Sequence, residues 1–148
     1  MAPQVASDDK KAGAEVYHGS ELCRKKTMEL LEQAGLPNGL ILLDDIQECG
    51  YVRETGFVWM KRNEKVEHEF KAIGRLVQYD TEISGYVEQH KMKKVSGVKS
   101  KELLVWITIS EIYIDDPASG KIFFKSAIAG IKKSFPVGAF QIQENDSK

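Results

Sequence analysis

The sequence predicts a mainly β protein: an antiparallel meander curled into a barrel-like sheet, with one N-terminal α-helix packed on it. Two observations lead to this fold class. Apolar residues follow a helical spacing only before residue 35, and after residue 39 they recur mostly at every second position. The strand-like segments also follow one another without intervening helices, which favours antiparallel pairing over a parallel sheet. Turn-forming residues between the segments indicate about six or seven strands.

The helix is predicted over roughly Glu21 to Ala34. Ser20 is the expected N-cap, and Gly35 fits the position after the helix, where a left-handed backbone is needed. Pro37 prevents the helix from continuing, and residues 38–39 form the reversal that follows. We therefore interpret this corner as structural. The apolar face of the helix has members at i, i+4, i+7, i+8 and i+11, which are Cys23, Thr27, Leu30, Leu31 and Ala34.

A period of two residues marks the first predicted strands. Residues 56–61 (GFVWMK) are apolar and aromatic and lie between two turn-like segments. Residues 79–89 alternate over a longer stretch, which is typical of an antiparallel strand with one solvated face. Gly85 indicates a bulge or a bend in this strand. The residues expected on the buried face are Tyr79, Thr81, Ile83 and Val87.

The strongest strand signal lies in residues 101–116 (KELLVWITISEIYIDD). Apolar residues occupy odd positions up to Ile109 and even positions from Ile112 onward, so the buried face changes near Ser110. A strand cannot change its buried face without an irregularity in pairing. We therefore expect a β-bulge or a bend at Ser110.

The C-terminal part is predicted to form a hairpin followed by one short strand. Residues 115–120 (DDPASG) have the composition of a turn, and residues 121–125 (KIFFK) form the return strand. Residues 135–142 are expected to form the last strand, with Pro136 at its start or on a sheet edge.

The 148-residue chain is expected to form one domain over residues 16–143, with disordered tails at residues 1–15 and 144–148. Its composition, 42% hydrophobic and 29% charged, is typical of a globular protein. The sequence has no apolar signal region and no run of roughly 20 apolar residues, so a cytoplasmic location is expected. Two cysteines are too few for a disulfide framework. We expect a monomer.

No catalytic site, metal site or cofactor is predicted from motifs. The chain has no G-x-S-x-G elbow, no phosphate-binding P-loop and no G-x-G-x-x-G. His68 opens a zinc-protease motif, but the second histidine is replaced by Ala72. His18 and His90 lie far from it in sequence. Cys23 lies on the apolar helix face, where a small buried hydrophobe is expected.

Two tryptophans are the candidate binding residues with the largest apolar surface. Trp59 and Trp106 each lie in a strand segment that is apolar on both faces. Such residues are either part of the core or form the wall of an apolar cavity, since a small barrel can hold one small molecule. On the second interpretation, the candidate ligand-binding residues are Trp59, Tyr79, Ile83 and Trp106.

One segment, residues 90–101 (HKMKKVSGVKSK), contains five lysines and no acidic residue. If it is a hairpin loop, Lys91, Lys93 and Lys94 form a basic patch for an anionic lipid surface or an acidic partner. Otherwise it is a solvated loop whose lysines protect strand edges. It has no arginine and no interleaved aromatic residue, and the net charge is −1, so no nucleic-acid partner is expected.

Taken together, these motifs resemble a plant protein family, the domain of unknown function 538. The resemblance covers about residues 17–143. The family often has Gly-Leu-Leu-Pro after the corner, where this chain has leucine, isoleucine and leucine at 40–42. The matching segments are GLPNG at 35–39, ETGFVW at 54–59, residues 79–112, KIFFK at 121–125 and SFPVGAF at 134–140.

The resemblance implies a mostly antiparallel, barrel-like fold with one helix, and no established activity. The family is likened to lipid-binding bactericidal permeability-increasing proteins, and some members are proposed to hydrolyse chlorophyll. We therefore consider three functions. The leading one is a non-enzymatic binding module for a small apolar or lipid-like ligand. The alternatives are a regulatory protein-interaction domain and a hydrolase of a chlorophyll ester, which no motif in the chain supports.

Overall fold

The computed structural model describes residues 10–128 and 130–141. The predicted tail at 144–148 lies outside the described residues, as do the first nine residues of the predicted tail at 1–15. The first strand already begins at Glu15. The elements are β1 (Glu15–His18), α1 (Ser20–Gln33), β2 (Ile46–Val52), β3 (Phe57–Arg62), β4 (Val66–Phe70), β5 (Arg75–Glu88), β6 (Lys91–Glu102), β7 (Val105–Tyr113), β8 (Lys121–Ser126) and β9 (Lys132–Pro136), with short 3-10 helices at Pro117–Ser119 and Val137–Phe140.

All nine strands of the described residues belong to one antiparallel sheet, in the order β1-β2-β3-β5-β6-β7-β8-β9. β5 is long enough to pair with two shorter strands along the same edge. Its first half pairs with β4 and its second half with β3, so that β3 and β4 lie end to end. Among the elements given above, the prediction of antiparallel strands with one α-helix is confirmed, although β1, β2 and β4 gave no recognised sequence signal.

The sheet is not closed into a barrel, which corrects the predicted barrel-like closure. The edge strands β1 and β9 pair only with β2 and β8 among the described strands. The core side of the sheet is instead covered by α1, by residues 36–43 and by the turn at Val137–Phe140. The Gly39 N–H donates to the Phe140 carbonyl at 2.7 Å and joins the last two of these. Because these segments already bury the apolar face, the edges do not have to meet.

The start of α1 differs from the prediction and its end confirms it. Ser20 is the first helical residue, and Gly19, with φ of 95°, takes the N-cap position without a side-chain cap. At the other end Gly35 has φ of 74°. The Leu36 N–H donates to the Leu31 carbonyl at 2.9 Å, and the Gly35 N–H to the Glu32 carbonyl at 3.0 Å. These two bonds form a Schellman motif, so the corner ends the helix as expected.

The predicted bulge near Ser110 is present between β7 and β8. Ile109 pairs with Ser126 and Glu111 pairs with Lys125, so β7 has one extra residue between these two pairs. Ile109 and Ile112 are therefore both buried, although their separation would place them on opposite faces of a regular strand. The turn at 115–120 and the return strand β8 are also confirmed.

Two predicted segments have a different structure. The lysine-rich segment is strand β6, so the interpretation of residues 90–101 as a loop is wrong. The predicted strand over residues 101–116 is broken, because Leu103 and Leu104 form the turn between β6 and β7. Pro136 ends β9 and lies on the sheet edge, and residues 137–140 form a 3-10 turn where a strand was predicted.

Candidate functional site

The two tryptophans lie far apart in the sheet, because β5 and β6 separate their strands. Trp59 lies on the face of β3 opposite the main core, in a small cluster with Val52 and Phe57. Its side chain is 2% exposed, and the indole N–H donates to Glu48 Oε2 at 2.7 Å. Lys11 Nζ lies 4.7 Å from the centre of its ring. Trp59 is therefore covered by the segment that precedes β1.

The charge of Glu48 is stabilised by this arrangement. The hydrogen bond from Trp59 lowers the pKa of the Glu48 carboxyl, and Lys61 and His18 act in the same direction, while burial opposes them. His18 Nε2 lies 3.2 Å from Glu48 Oε1. These side chains hold β1, β2 and β3 together on the outer side of the sheet, which is a structural role.

Tyr79 and Ile83 lie on the core side of β5, so neither is close to the side of the sheet that carries Trp59. The Tyr79 hydroxyl donates to the Leu40 carbonyl at 3.2 Å. Burial raises the pKa of this phenol, which stays protonated. The Arg62 guanidinium lies 5.8 Å from the Tyr79 ring and donates to the Leu42 carbonyl. Tyr79 and Arg62 thus anchor the segment that follows the helix corner.

An apolar cavity lies inside the curled sheet, and its volume is about 40 Å³. Tyr79 belongs to its wall, together with residues of β5 to β9 and the Phe140 ring. Ile83 borders a separate space of about 10 Å³. A pocket for a drug-sized molecule needs roughly 300–1,000 Å³. Side chains therefore fill most of the interior in this structure.

A larger cleft, of about 320 Å³, lies beside the helix corner. Its wall combines apolar residues of the 39–44 segment and of Phe140 with Arg24, Asp44 and His68. The Arg24 guanidinium donates to Asp44 Oδ1 at 3.3 Å, and the His68 ring packs edge-on against Phe70. These polar groups therefore already interact with one another or with the apolar wall.

The described part of the chain has no cluster of metal-binding side chains, and its two cysteines are buried. Cys23 and Cys49 are buried and unpaired, and burial raises the pKa of Cys49 to about 12. Such a thiol is not a nucleophile at neutral pH. Within residues 10–128 and 130–141, no three side chains of His, Cys, Asp or Glu converge as metal ligands.

The most unusual surface feature is the turn between β6 and β7, which we call the hairpin tip (residues 101–106). Leu103 and Leu104 are 92% and 91% exposed, and Val105 is 58% exposed. Glu102 and Val105 are paired across the sheet, so the connection has two residues. Leu103 has φ of 56°, and Leu104 does not have positive φ. Positive φ at only the first residue is the pattern of a type II′ turn, where glycine is preferred.

Trp106 and Lys101 form the second cross-strand pair below these leucines, after Glu102 and Val105. They are in register across β6 and β7, and Lys101 Nζ lies 5.8 Å from the centre of the Trp106 ring. Lys99, two pairs further down, is exposed. The turn between β8 and β9 emerges at the same end of the sheet and presents two more exposed apolar side chains, Ile128 and Ile131.

The predicted basic patch lies at the opposite end of β6. Lys91 is in register with Tyr113 of β7, while Lys93 forms an ion pair with Glu88. Lys94 Nζ lies 5.7 Å from the centre of the Tyr86 ring. The structure therefore brings these three lysines together with aromatic rings and one carboxylate, and separates them from the hairpin tip.

Sequence reasoning assigned the tip to a strand, because Leu-Leu-Val-Trp continues the apolar pattern of β7. A signal was nevertheless present, since four consecutive apolar residues cannot alternate between a buried and a solvated face.

The fold and its surface define a class of protein: an open antiparallel sheet with one covering helix and an apolar, lysine-flanked hairpin tip. The chain belongs to the family described as "Protein of unknown function, DUF538", whose model matches residues 27–141. It is 28% identical over 122 residues to an uncharacterised protein of Arabidopsis thaliana, covering 82% of this chain and 66% of that protein, just under two thirds of its length. No solved structure matches the chain. No helix in the described part has the length and apolar character that crossing a bilayer requires.

Proposed function

We propose that this protein is a non-enzymatic binding module that docks on an anionic lipid surface through its hairpin tip. The observation that supports this most is the pair of leucines at residues 103 and 104, which are almost fully exposed. Leu103 also adopts positive φ, a conformation that costs roughly 1–2 kcal/mol for a residue with a Cβ. A turn selected for stability would have glycine or asparagine there. We infer that the leucines are present for binding.

The residues around the tip suit the interface of a bilayer. Trp106 lies in the second pair below the leucines, at the depth where the amphipathic indole favours the headgroup region. Lys99 and Lys101 are placed to meet anionic headgroups from the same strand. Burial of one leucine side chain contributes about 1.5–3 kcal/mol, and each lysine near such a surface about 1 kcal/mol. Together these contributions support weak, reversible association.

The alternative of a small apolar ligand inside the sheet has less support. The apolar cavity of about 40 Å³ is much smaller than a site for such a ligand. The tryptophans proposed as its walls are not among the residues around it. For Lys91, Lys93 and Lys94 we propose at most a secondary contact with the lipid surface, because they lie at the other end of β6.

Co-sedimentation with vesicles tests the proposal. Wild type should sediment with vesicles of phosphatidylserine and phosphatidylcholine and should bind pure phosphatidylcholine much less. Leu103→Ser with Leu104→Ser should lower the bound fraction at least about tenfold, since roughly 1.4 kcal/mol corresponds to that factor. Leu22→Ser is the matched control, because Leu22 is an exposed leucine on α1, and it should bind like wild type.

The salt dependence gives a second readout. Binding should weaken at 1 M salt, where the screening length falls to roughly 3 Å, but the contribution of the leucines should persist. Equal recovery of wild type and the tip variant at low salt would contradict the proposal.

A second candidate, a protein-interaction domain, is favoured by the same exposed tip and by the open edges of β1 and β9. Failure of vesicle binding would favour it. The hydrolase alternative stays a prediction from the family resemblance.

A further inference from the structure

We propose that the outer face of β7, β8 and β9, together with Lys91 of β6, binds single-stranded nucleic acid by base stacking and phosphate contacts. We call this surface the aromatic–lysine face. It consists of Tyr113, Phe123, Lys91, Lys121, Lys125 and Lys132. The lysine-rich segment alone has no interleaved aromatic residue, and on that basis the sequence predicted no nucleic-acid partner. The fold supplies the rings from the neighbouring strands.

The cross-strand register places these side chains on one face. Lys91, Tyr113 and Phe123 are consecutive partners across β6, β7 and β8. Lys121 and Lys125 flank Phe123 at spacings of two, so they share its face. Lys132 of β9 is the partner of Lys125. The residues between them, such as Ile122 and Phe124, point to the core.

The two rings form a stack with a cation near each. Tyr113 and Phe123 have their ring centres 5.3 Å apart, and their planes are 14° from parallel. Lys91 Nζ lies 5.8 Å from the centre of the Tyr113 ring, and Lys132 Nζ lies 5.3 Å from that of Phe123. Both rings are only half-buried. An arriving base can take the place of an ammonium group on the ring, and the displaced ammonium can then pair with the adjacent phosphate.

The charge of this face is strongly positive although the chain has net charge −1. Residues 91–141 contain nine lysines and four acidic residues. On the outward positions of β7, β8 and β9 the single carboxylate is Glu111, opposite Lys125. Among the described residues, no carboxylate lies within ion-pair distance of Lys91, Lys121, Lys125 or Lys132. Glu88 of β5 is the cross-strand partner of Lys91 and attracts it, although its ion pair is with Lys93. Lys121, Lys125 and Lys132 are therefore the ammonium groups most available to phosphates.

Stacking rings and the absence of aliphatic side chains distinguish this face from the hairpin tip. The outward side chains of β8 and β9 are lysines, Phe123, Ser134 and Pro136, so nothing there resembles the exposed leucines of the tip. Insertion into a lipid interface would use exposed aliphatic side chains, which these strands lack on their outer face, whereas a single strand uses stacked rings and lysines. The lack of arginine points to contacts that tolerate different base sequences.

Fluorescence anisotropy with labelled 12-nucleotide oligo(dT) and oligo(U) tests the proposal on the full chain. Wild type should bind both. Tyr113→Leu with Phe123→Leu keeps apolar side chains but removes the stacking surface, and should weaken binding at least about tenfold. Lys91→Gln with Lys125→Gln and Lys132→Gln should weaken binding and make the salt slope shallower by about 2, at roughly 0.7 per lost phosphate contact.

Two control variants test whether binding depends on this face. The variant with Lys25, Lys65 and Lys71 changed to glutamine removes three exposed lysines elsewhere and should bind oligo(dT) like wild type. Leu103→Ser with Leu104→Ser should also leave oligo(dT) binding unchanged, which separates this face from the lipid-docking tip.

No binding of oligo(dT) by wild type would overturn the proposal, as would unchanged binding by the leucine variant of the rings. Equal affinity for inorganic polyphosphate would show that charge alone acts. If the lysine triple variant lost vesicle binding while wild type bound no oligonucleotide, the face would be part of the lipid contact.

Discussion

Leu103 has a backbone conformation that glycine or asparagine would adopt at lower cost. Its φ is 56°, and its side chain is 92% exposed and packs against almost nothing. The folded chain therefore bears a conformational cost without a packing gain at this residue. In the proposed function, the leucine is kept because it enters the lipid interface.

Leu103→Asn should accordingly raise the free energy of unfolding by about 1 kcal/mol, because asparagine tolerates positive φ better than leucine does. The same variant should bind anionic vesicles more weakly, so stability and binding change in opposite directions. Urea unfolding and vesicle co-sedimentation measure the two effects. A variant that is less stable than wild type would show that the leucine has a structural role.

The Glu48 carboxyl group makes the stability of the fold depend on pH, because it accepts a hydrogen bond from Trp59 in the folded state. Its folded-state pKa is lowered, chiefly by the hydrogen bond from Trp59, below the ordinary value of 4.5. A lowered carboxyl pKa contributes stability that is present above the unfolded value and is lost as the pH falls through the folded value. Acid should therefore weaken the attachment of β2 to β3 at this point.

Glu48→Gln keeps an acceptor for the Trp59 N–H but removes the charge. We expect this variant to lose less stability than wild type as the pH falls below about 4.5. Thermal unfolding followed across that range measures the difference. Glu54→Gln, a change at an exposed turn, serves as the control. Identical acid profiles for wild type and Glu48→Gln would leave the carboxylate without a stabilising role.

The helix corner is a junction between two elements. The β5–β6 turn contacts it, since the His90 N–H donates to the Ala34 carbonyl at 2.6 Å. A Cβ added to Gly35 would lie 2.5 Å from the Cδ2 atom of His90. Gly35 therefore provides both the left-handed end of α1 and the space for the β5–β6 turn. This accounts for the Gly-Leu-Pro sequence without a ligand.

Gly35→Ala should cost more than the roughly 1–2 kcal/mol of positive φ alone, because the His90 ring must also move. Gly74→Ala is the matched control, since Gly74 has φ of 63° and nothing within 4 Å of an added Cβ. The difference between the two losses, measured by denaturant unfolding, reports the contact with His90. Equal losses of stability in the two variants would show that the contact with His90 does not affect the free energy of unfolding.

The elements that could be predicted from sequence are those with a local physical signature. The end of α1 was predicted because Gly35 and Pro37 each restrict the backbone, and the bulge at Ser110 because the apolar phase changes there. The turn at Leu103 was missed, since no local rule places leucine at positive φ. β6 was missed because its lysines alternate with few large apolar residues. The Tyr113–Phe123 stack depends on register between distant segments, which a single sequence does not encode locally.

In the molecule as a whole, side chains fill the interior of the curled sheet, and the groups available for binding lie on its outer surface. The cavity of about 40 Å³ has room for little more than a water molecule, and the two most exposed of the large apolar side chains lie on the hairpin tip. The edges of the sheet stay apart because α1, residues 36–43 and the Phe140 turn already bury the apolar face. A function based on surface contact follows from this distribution.

Tryptophan quenching by brominated lipids tests lipid docking most directly. Trp106 lies next to the exposed leucines, whereas Trp59 is 2% exposed and far along the sheet. With phosphatidylserine vesicles whose acyl chains carry bromine, we expect the emission of Trp106 to be quenched relative to unbrominated vesicles, and we expect Trp106→Phe to abolish the difference. Identical emission from wild type in the two kinds of vesicle, or quenching that persists in Trp106→Phe, would contradict docking through the hairpin tip.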